Sequence, residues 1–164
     1  MPLFERDQQV RHVALGTVAG FLAFGFGSGL SRFAPGTMGT LVAIPFAPLL
    51  KTLAPAWYLG LLAGLFLLGV YLCGVTADRI GRHDPGGIVW DEMVGYWLTI
   101  AFVPLQWAWL LLAFILFRLF DILKPWPIKS MEKVFPGGLG IMVDDILAAF
   151  YAMLVLAGVS RLVS

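Results

Sequence analysis

The stretch DEMVGYWLTIAFVPLQWAWLLLAFILFRLFD, residues 91–121, decides the fold. No charged residue lies between Glu92 and Arg118, a gap of 25 positions, and about 20 apolar residues suffice to cross a bilayer. Yet carboxylates stand at both ends. As one straight helix rising 1.5 Å per residue, the stretch would hold Asp91 and Asp121 about 45 Å apart, too far to share a site. Pro104-Leu105-Gln106 offers a turn, because proline removes a rung of the helical ladder, and Trp107 and Trp109 have the character of interfacial anchors. Folding there predicts a helical hairpin that returns Asp91, Glu92 and Asp121 to one side.

The rest of the chain has the same bias. Of 164 residues, 60% are hydrophobic and only 13% charged, with a mean hydropathy of +0.89. A water-soluble core does not need so much apolar surface. Two further charge-free gaps separate Arg11 from Arg32 and Lys51 from Asp78, the second 26 residues long. The apolar runs lack the alternation of a barrel strand, and backbone polar groups in lipid must be satisfied internally, so the expected class is all-α. The architecture expected is one compact multihelical membrane bundle spanning residues 1–164, with helices near 13–24, 37–50, 55–80, 88–103, 106–121 and 139–161. Segments 13–24 and 37–50 are short for full spans and read as re-entrant or interfacial. Glu5 and Asp7 among the early basic residues, and no small-residue cleavage site, argue against a removable signal peptide. A net charge of +1 gives no reason to expect nucleic acid as a partner, and the sequence leaves the oligomeric state open. Gly16-xxx-Gly20 and Gly60-xxx-Gly64 have the spacing of close helix contacts.

Function is sought where charge interrupts apolar sequence. Asp91-Glu92 and Asp144-Asp145 each set two like charges side by side, which repel unless a cation lies close. Asp121 could pair with Arg118 or Lys124, each three residues away, or sit at the membrane interface. Oxygen-only ligands favour magnesium, calcium or manganese over zinc, and Mg²⁺ commonly joins a few carboxylates to a phosphate oxygen. Glu92, Asp121, Asp144 and Asp145 are the expected metal ligands. Arg118 and Lys124, bracketing Asp121, are the expected phosphate partners, while Lys129 and Lys133 fit general attraction to lipid headgroups. The segment GSGLSRFAPGTMGT, Gly27 to Thr40, could present backbone N–H groups with the hydroxyls of Ser28 and Thr37 to phosphate, or be a plain turn. Asp91, or His83 and Asp84 in the loop HDPGG, could orient or activate water; His83 could equally cap the loop. Cys73 and Arg79 match a Cys-x5-Arg spacing, but Cys73 follows an apolar run and reads as packing.

The motifs HDPGGIVWDEMVG, RLFDILKPWPI and GGLGIMVDDILA, with GSGLSRFAPGTMGT before them, resemble those of the phosphatidylglycerophosphatase A family across residues 25–160. The resemblance implies an all-helical, Mg²⁺-dependent enzyme, multi-pass in the bacterial inner membrane. It would hydrolyse the phospholipid phosphatidylglycerophosphate to phosphatidylglycerol and inorganic phosphate in phospholipid biosynthesis. By position it also implies functional roles for His83, Asp84, Asp91, Glu92, Arg118, Asp121, Lys124, Pro125, Asp144 and Asp145. Thr40 stands where the family often has Ser, and Ala149 where it often has Gly. The loops 78–92 and 118–133 carry most basic residues, which places the active site on the cytoplasmic side. The competing readings are a membrane alcohol phosphotransferase, whose Asp-Gly-x-x-Ala-Arg signature is absent, and a small cation channel or transporter with a carboxylate path.

Overall fold

The structure, a computed structural model, describes residues 3–82, 85–131 and 134–163. It is helical throughout, with no strand among the described residues. In chain order the helices are α1 (Leu3–Gly16), α2 (Val18–Ala23), α3 (Pro35–Ala43), α4 (Ala47–Leu50), α5 (Pro55–Ile80), α6 (Trp90–Thr99), α7 (Trp107–Leu123), α8 (Ile128–Met131) and α9 (Gly137–Val163). Helices α5 and α9 are long and apolar enough to cross a membrane.

The hairpin around Pro104 is present. Helix α6 ends at Thr99, and α7 restarts at Trp107 after an extended Gln106. Tyr96 on α6 donates its hydroxyl to the Leu110 carbonyl on α7 at 3.1 Å, tying the two arms together. Helix α9 lies at the centre, packed against α5, α6 and α7, while α3 backs α6, and α1 and α2 back α5. The core follows this layout: Met93 and Val94 of α6, Phe117 of α7 and Met142, Ala148 and Ala152 of α9 are buried.

Ring donors also tie α6 to α5 and α3. Trp90 Nε1 reaches Leu65 O on α5 at 3.1 Å, Trp97 Nε1 reaches Ala43 O on α3 at 2.9 Å, and Tyr58 on α5 donates to Trp97 O at 2.7 Å. Beyond Thr99 the helix cannot satisfy its last carbonyls internally. In the segment that leaves the helix, Lys51 donates Nζ to Ala101 O and Val103 O at 2.8 Å each while lying 5.8 Å from the Tyr58 ring centroid. Partial burial lowers the Lys51 pKa below the usual lysine value.

Two elements differ from the sequence reading. The helix expected near 13–24 begins instead at Leu3 and breaks at Thr17, whose hydroxyl donates to Val13 O at 2.9 Å and accepts from Gly20 N at 3.0 Å. Apolar periodicity misses this start because Glu5 to Gln9 are polar yet helix-compatible. The segment expected near 37–50 begins at Pro35 and is divided by a 3₁₀ turn at Ile44–Phe46; Pro45 and Pro48 lack the N–H groups that a continuous helix needs. Gly20 approaches the Val13 carbonyl too closely for any Cβ, whereas Gly60 and Gly64 face open space.

Replacing Lys51 by Met removes both bonds to the α6 exit. We expect Lys51→Met to lower stability by about 2 kcal/mol, the scale of charge-assisted hydrogen bonds, as measured by thermal unfolding in detergent. An unchanged transition would show that the α6 exit does not need this clamp.

Candidate active site

The start of α6, the end of α7 and the early turns of α9 converge on a cleft of about 100 Å³. Asp91, Glu92, Asp121, Lys124, Asp144 and Asp145 line it, with Gly86, Ile88, Gly140 and Ile141. The turn at Pro104 makes this possible, since without it Asp121 would lie far from Asp91 along one rod.

Inside the cleft the acidic residues divide into two kinds. Asp91, Glu92 and Asp145 each place one carboxylate oxygen so that all three lie within 4.8 Å of one another. Asp91 Oδ1 and Glu92 Oε2 are buried with no hydrogen-bond donor among the described residues. Such lone pairs are costly to bury unless something positive meets them. The donor set is all oxygen, which suits a hard divalent cation.

Asp121 and Asp144, and Glu92 as well, have cationic partners. Arg118 Nη1 lies 2.6 Å from Asp121 Oδ2 and 3.7 Å from Glu92 Oε1, with all three side chains at most 15% exposed. Lys124 Nζ lies 2.8 Å from Asp144 Oδ2. Sequence spacing left Arg118 and Lys124 as equal candidates for Asp121; the fold gives Arg118 to Asp121 and Lys124 to Asp144. The reason is backbone direction. Lys124 ends α7 in the left-handed conformation, φ 42°, with its N–H still bonded to Phe120 O at 2.9 Å. Pro125 cannot continue the helix, so the chain turns and swings Lys124 toward α9.

All the expected carboxylates among the described residues line the one cleft. Asp91, read from sequence as a group that orients water, shares its oxygen cluster with Glu92 and Asp145, while the expected ligands Asp121 and Asp144 are engaged by Arg118 and Lys124. His83 and Asp84 lie outside the described residues, as do Glu132 and Lys133.

Ser28 and Thr37, expected against phosphate, are not among the described residues lining the cleft. Ser28 donates to Phe24 O at 3.5 Å within its own turn. The glycine-rich segment is instead a bed for the chain entering α6. Gly29 lies against the Gly87 carbonyl, Gly39 against Val89, and Gly36 against Glu92 Oε1 and the Arg118 guanidinium, each too close for a Cβ. Val89 N completes the contact by donating to Ala23 O at 2.8 Å. Sequence reasoning missed Gly36 as a site residue. Its only signal was the glycine spacing at 29, 36 and 39, which reads equally well as a turn.

Cys73 and Arg79 lie on one continuous helix, α5, so no phosphate-cradling loop joins them. Cys73 is buried, with Sγ 3.9 Å from Met142 Sδ, and Arg79 is exposed.

A methyl group at position 36 must displace Glu92 or Arg118. Gly36→Ala should therefore lower stability by about 1–3 kcal/mol, the usual range for overpacking, while Gly60→Ala, facing open space, should be neutral or stabilising. Thermal unfolding of the two variants side by side checks this; equal transitions would refute the tight fit.

A family model described as Phosphatidylglycerophosphatase A matches residues 21–160. A Haemophilus influenzae protein named phosphatidylglycerophosphatase A is 52% identical over 136 residues, covering 82% of this chain and 83% of that protein. An Escherichia coli protein of the same name is 50% identical over 129 residues, covering 77% and 74%. No solved structure matches the chain. Matched over most of its length in this way, the chain belongs to the phosphatidylglycerophosphatase A family and is a phosphatase.

Proposed function

We propose that the cleft hydrolyses the terminal phosphate of phosphatidylglycerophosphate, giving phosphatidylglycerol and inorganic phosphate, with Mg²⁺ held by Asp91, Glu92 and Asp145. One observation carries this reading: three carboxylate oxygens within 4.8 Å of one another, in a cleft that also presents Lys124, in a chain whose relatives are named for this activity.

Mg²⁺ in that position supplies Lewis-acid polarisation of a phosphoryl oxygen. The chain's own residues do the rest. Lys124 offers its ammonium to the monoester oxygens, and Asp144 fixes its direction. Arg118 holds Glu92 and Asp121 in place and offsets their charge. Water attacks phosphorus in line, the bond from phosphorus to the glycerol oxygen breaks, and that oxygen takes up a proton. Of the groups read as orienting the water, Asp91 lies in the cleft. Asp121 is a second carboxylate lining the same cleft.

We further propose that the bundle is embedded in the bacterial inner membrane with the cleft toward the cytoplasm. Exposed tryptophans support this. Trp57 and Trp107, 77% and 79% exposed, stand at the starts of α5 and α7, away from the cleft, while Trp126, 81% exposed, stands beside it. Helix α7 between these levels is roughly 25 Å long, close to the hydrocarbon thickness of about 30 Å. Arg79, Arg82, Arg118, Lys124 and Lys129 all fall at or near the cleft end, as cytoplasmic loops require.

Purified protein should release inorganic phosphate from phosphatidylglycerophosphate without a nucleotide cosubstrate. A chelator should abolish release, and added Mg²⁺ should restore it. Asp91→Asn, Glu92→Gln and Asp145→Asn should each reduce kcat at least about a hundredfold in protein with an unchanged circular-dichroism spectrum. Chelator-insensitive turnover would remove the metal from the mechanism, and full activity in all three variants would remove the cluster.

A further inference from the structure

Beside the carboxylate cleft is a second recess, lined by Lys124, Trp126, Lys129 and Ser130. Lys124 lines both, so the two are neighbours with a shared wall. Their charges differ in sign. The cleft is dominated by carboxylates, whereas the recess has two ammonium groups and a hydroxyl with no acidic residue among its described lining.

The recess is held firmly. Ile128 is fully buried beneath it, α8 packs on α9, and Tyr151 on α9 donates its hydroxyl to Trp126 O at 2.8 Å. The Tyr151 ring also lies 5.4 Å from Phe120 on α7. Left-handed Lys124 and the two prolines at 125 and 127 limit the backbone between the recess and α7. An exposed tryptophan at this end suits the headgroup layer, where an amphipathic ring is most stable.

We propose that this recess is the subsite for the second phosphate of the lipid, the diester that joins the headgroup to diacylglycerol, and that Lys129 and Ser130 set specificity for a two-phosphate lipid. The inference rests on the reaction proposed above and deepens it. A lipid with a monoester and a diester phosphate presents two anions separated by a short glycerol linker. The monoester needs the cleft, where its bond is broken. The diester needs positive charge and a hydrogen-bond donor, and the adjoining recess offers both in Lys129 and Ser130. Lys124, on the shared wall, lies between the two anions and fixes their spacing. General attraction of lysines to an anionic surface would not require an adjoining, braced recess.

The test uses full-length protein in neutral-detergent micelles containing phosphatidylglycerophosphate. Lys129→Ala should raise KM about three- to fivefold, the effect of one solvent-facing charge contact, with kcat changed less than twofold. Ser130→Ala added to it should raise KM further, and Lys129→Arg should restore it. The inhibition constant of inorganic phosphate, which occupies the monoester position, should move less than twofold in Lys129→Ala. Arg79→Ala serves as the control, being an exposed cation at the same end and outside the recess. An equal KM rise in Arg79→Ala would assign the effect to surface attraction and overturn the subsite. A parallel rise in the phosphate inhibition constant would place Lys129 at the monoester and overturn it likewise, as would an unchanged KM in Lys129→Ala. Absence of phosphate release by the unaltered protein would instead overturn the reaction on which the inference rests.

Discussion

Arg118 is the interaction on which the rest depends. Five carboxylates, those of Asp91, Glu92, Asp121, Asp144 and Asp145, share one small cleft between largely apolar helices. Removing charge from water costs several kcal/mol per group unless opposite charge accompanies it. Arg118 bridges Glu92 and Asp121, and so joins the start of α6 to the end of α7. Its guanidinium can face two carboxylates at once, which a lysine ammonium does less well. Gly36 leaves room for it where any side chain would intrude.

The same joint explains why α6 is so firmly anchored. A helix of ten residues is short for independent stability, and α6 carries two of the acidic groups on its first turn. Indole and phenol donors fasten it to α3, α5 and α7, and Lys51 closes its far end. Each of these bonds contributes on the order of 1 kcal/mol. Together they hold the carboxylates against their mutual repulsion. Tryptophan and tyrosine suit this task because they bury a large apolar body and still present a donor.

Local chemistry made much of this legible from sequence. The reversal at Pro104 follows from a missing N–H, and the long helices expected near 55–80 and 139–161 follow from long apolar runs, the second interrupted by Asp144 and Asp145. Adjacent carboxylates at 91–92 and 144–145 announced a polar centre for the same reason. What was illegible depended on distance across the fold. Arg118 and Lys124 are equally spaced from Asp121 along a helix, and only the left-handed turn before Pro125 separates their partners. Glycines 29, 36 and 39 look like a loop that could cradle an anion, yet their role is set by residues 87–92, some fifty positions away. The polar start of α1 was hidden because apolar periodicity does not register helix formers that face water.

The unequal count of charges in the cleft bears on the order of events. Among the described residues five carboxylates face two cations in and beside the cleft, Arg118 and Lys124, so these groups leave a negative field when all are ionised. A phosphate monoester has the same sign and is repelled by that field. In the reaction proposed here the divalent ion must then arrive first, making the sequence of binding compulsory rather than random. Steady-state kinetics would register this as a KM for lipid that falls as Mg²⁺ rises, and a KM independent of Mg²⁺ would exclude it.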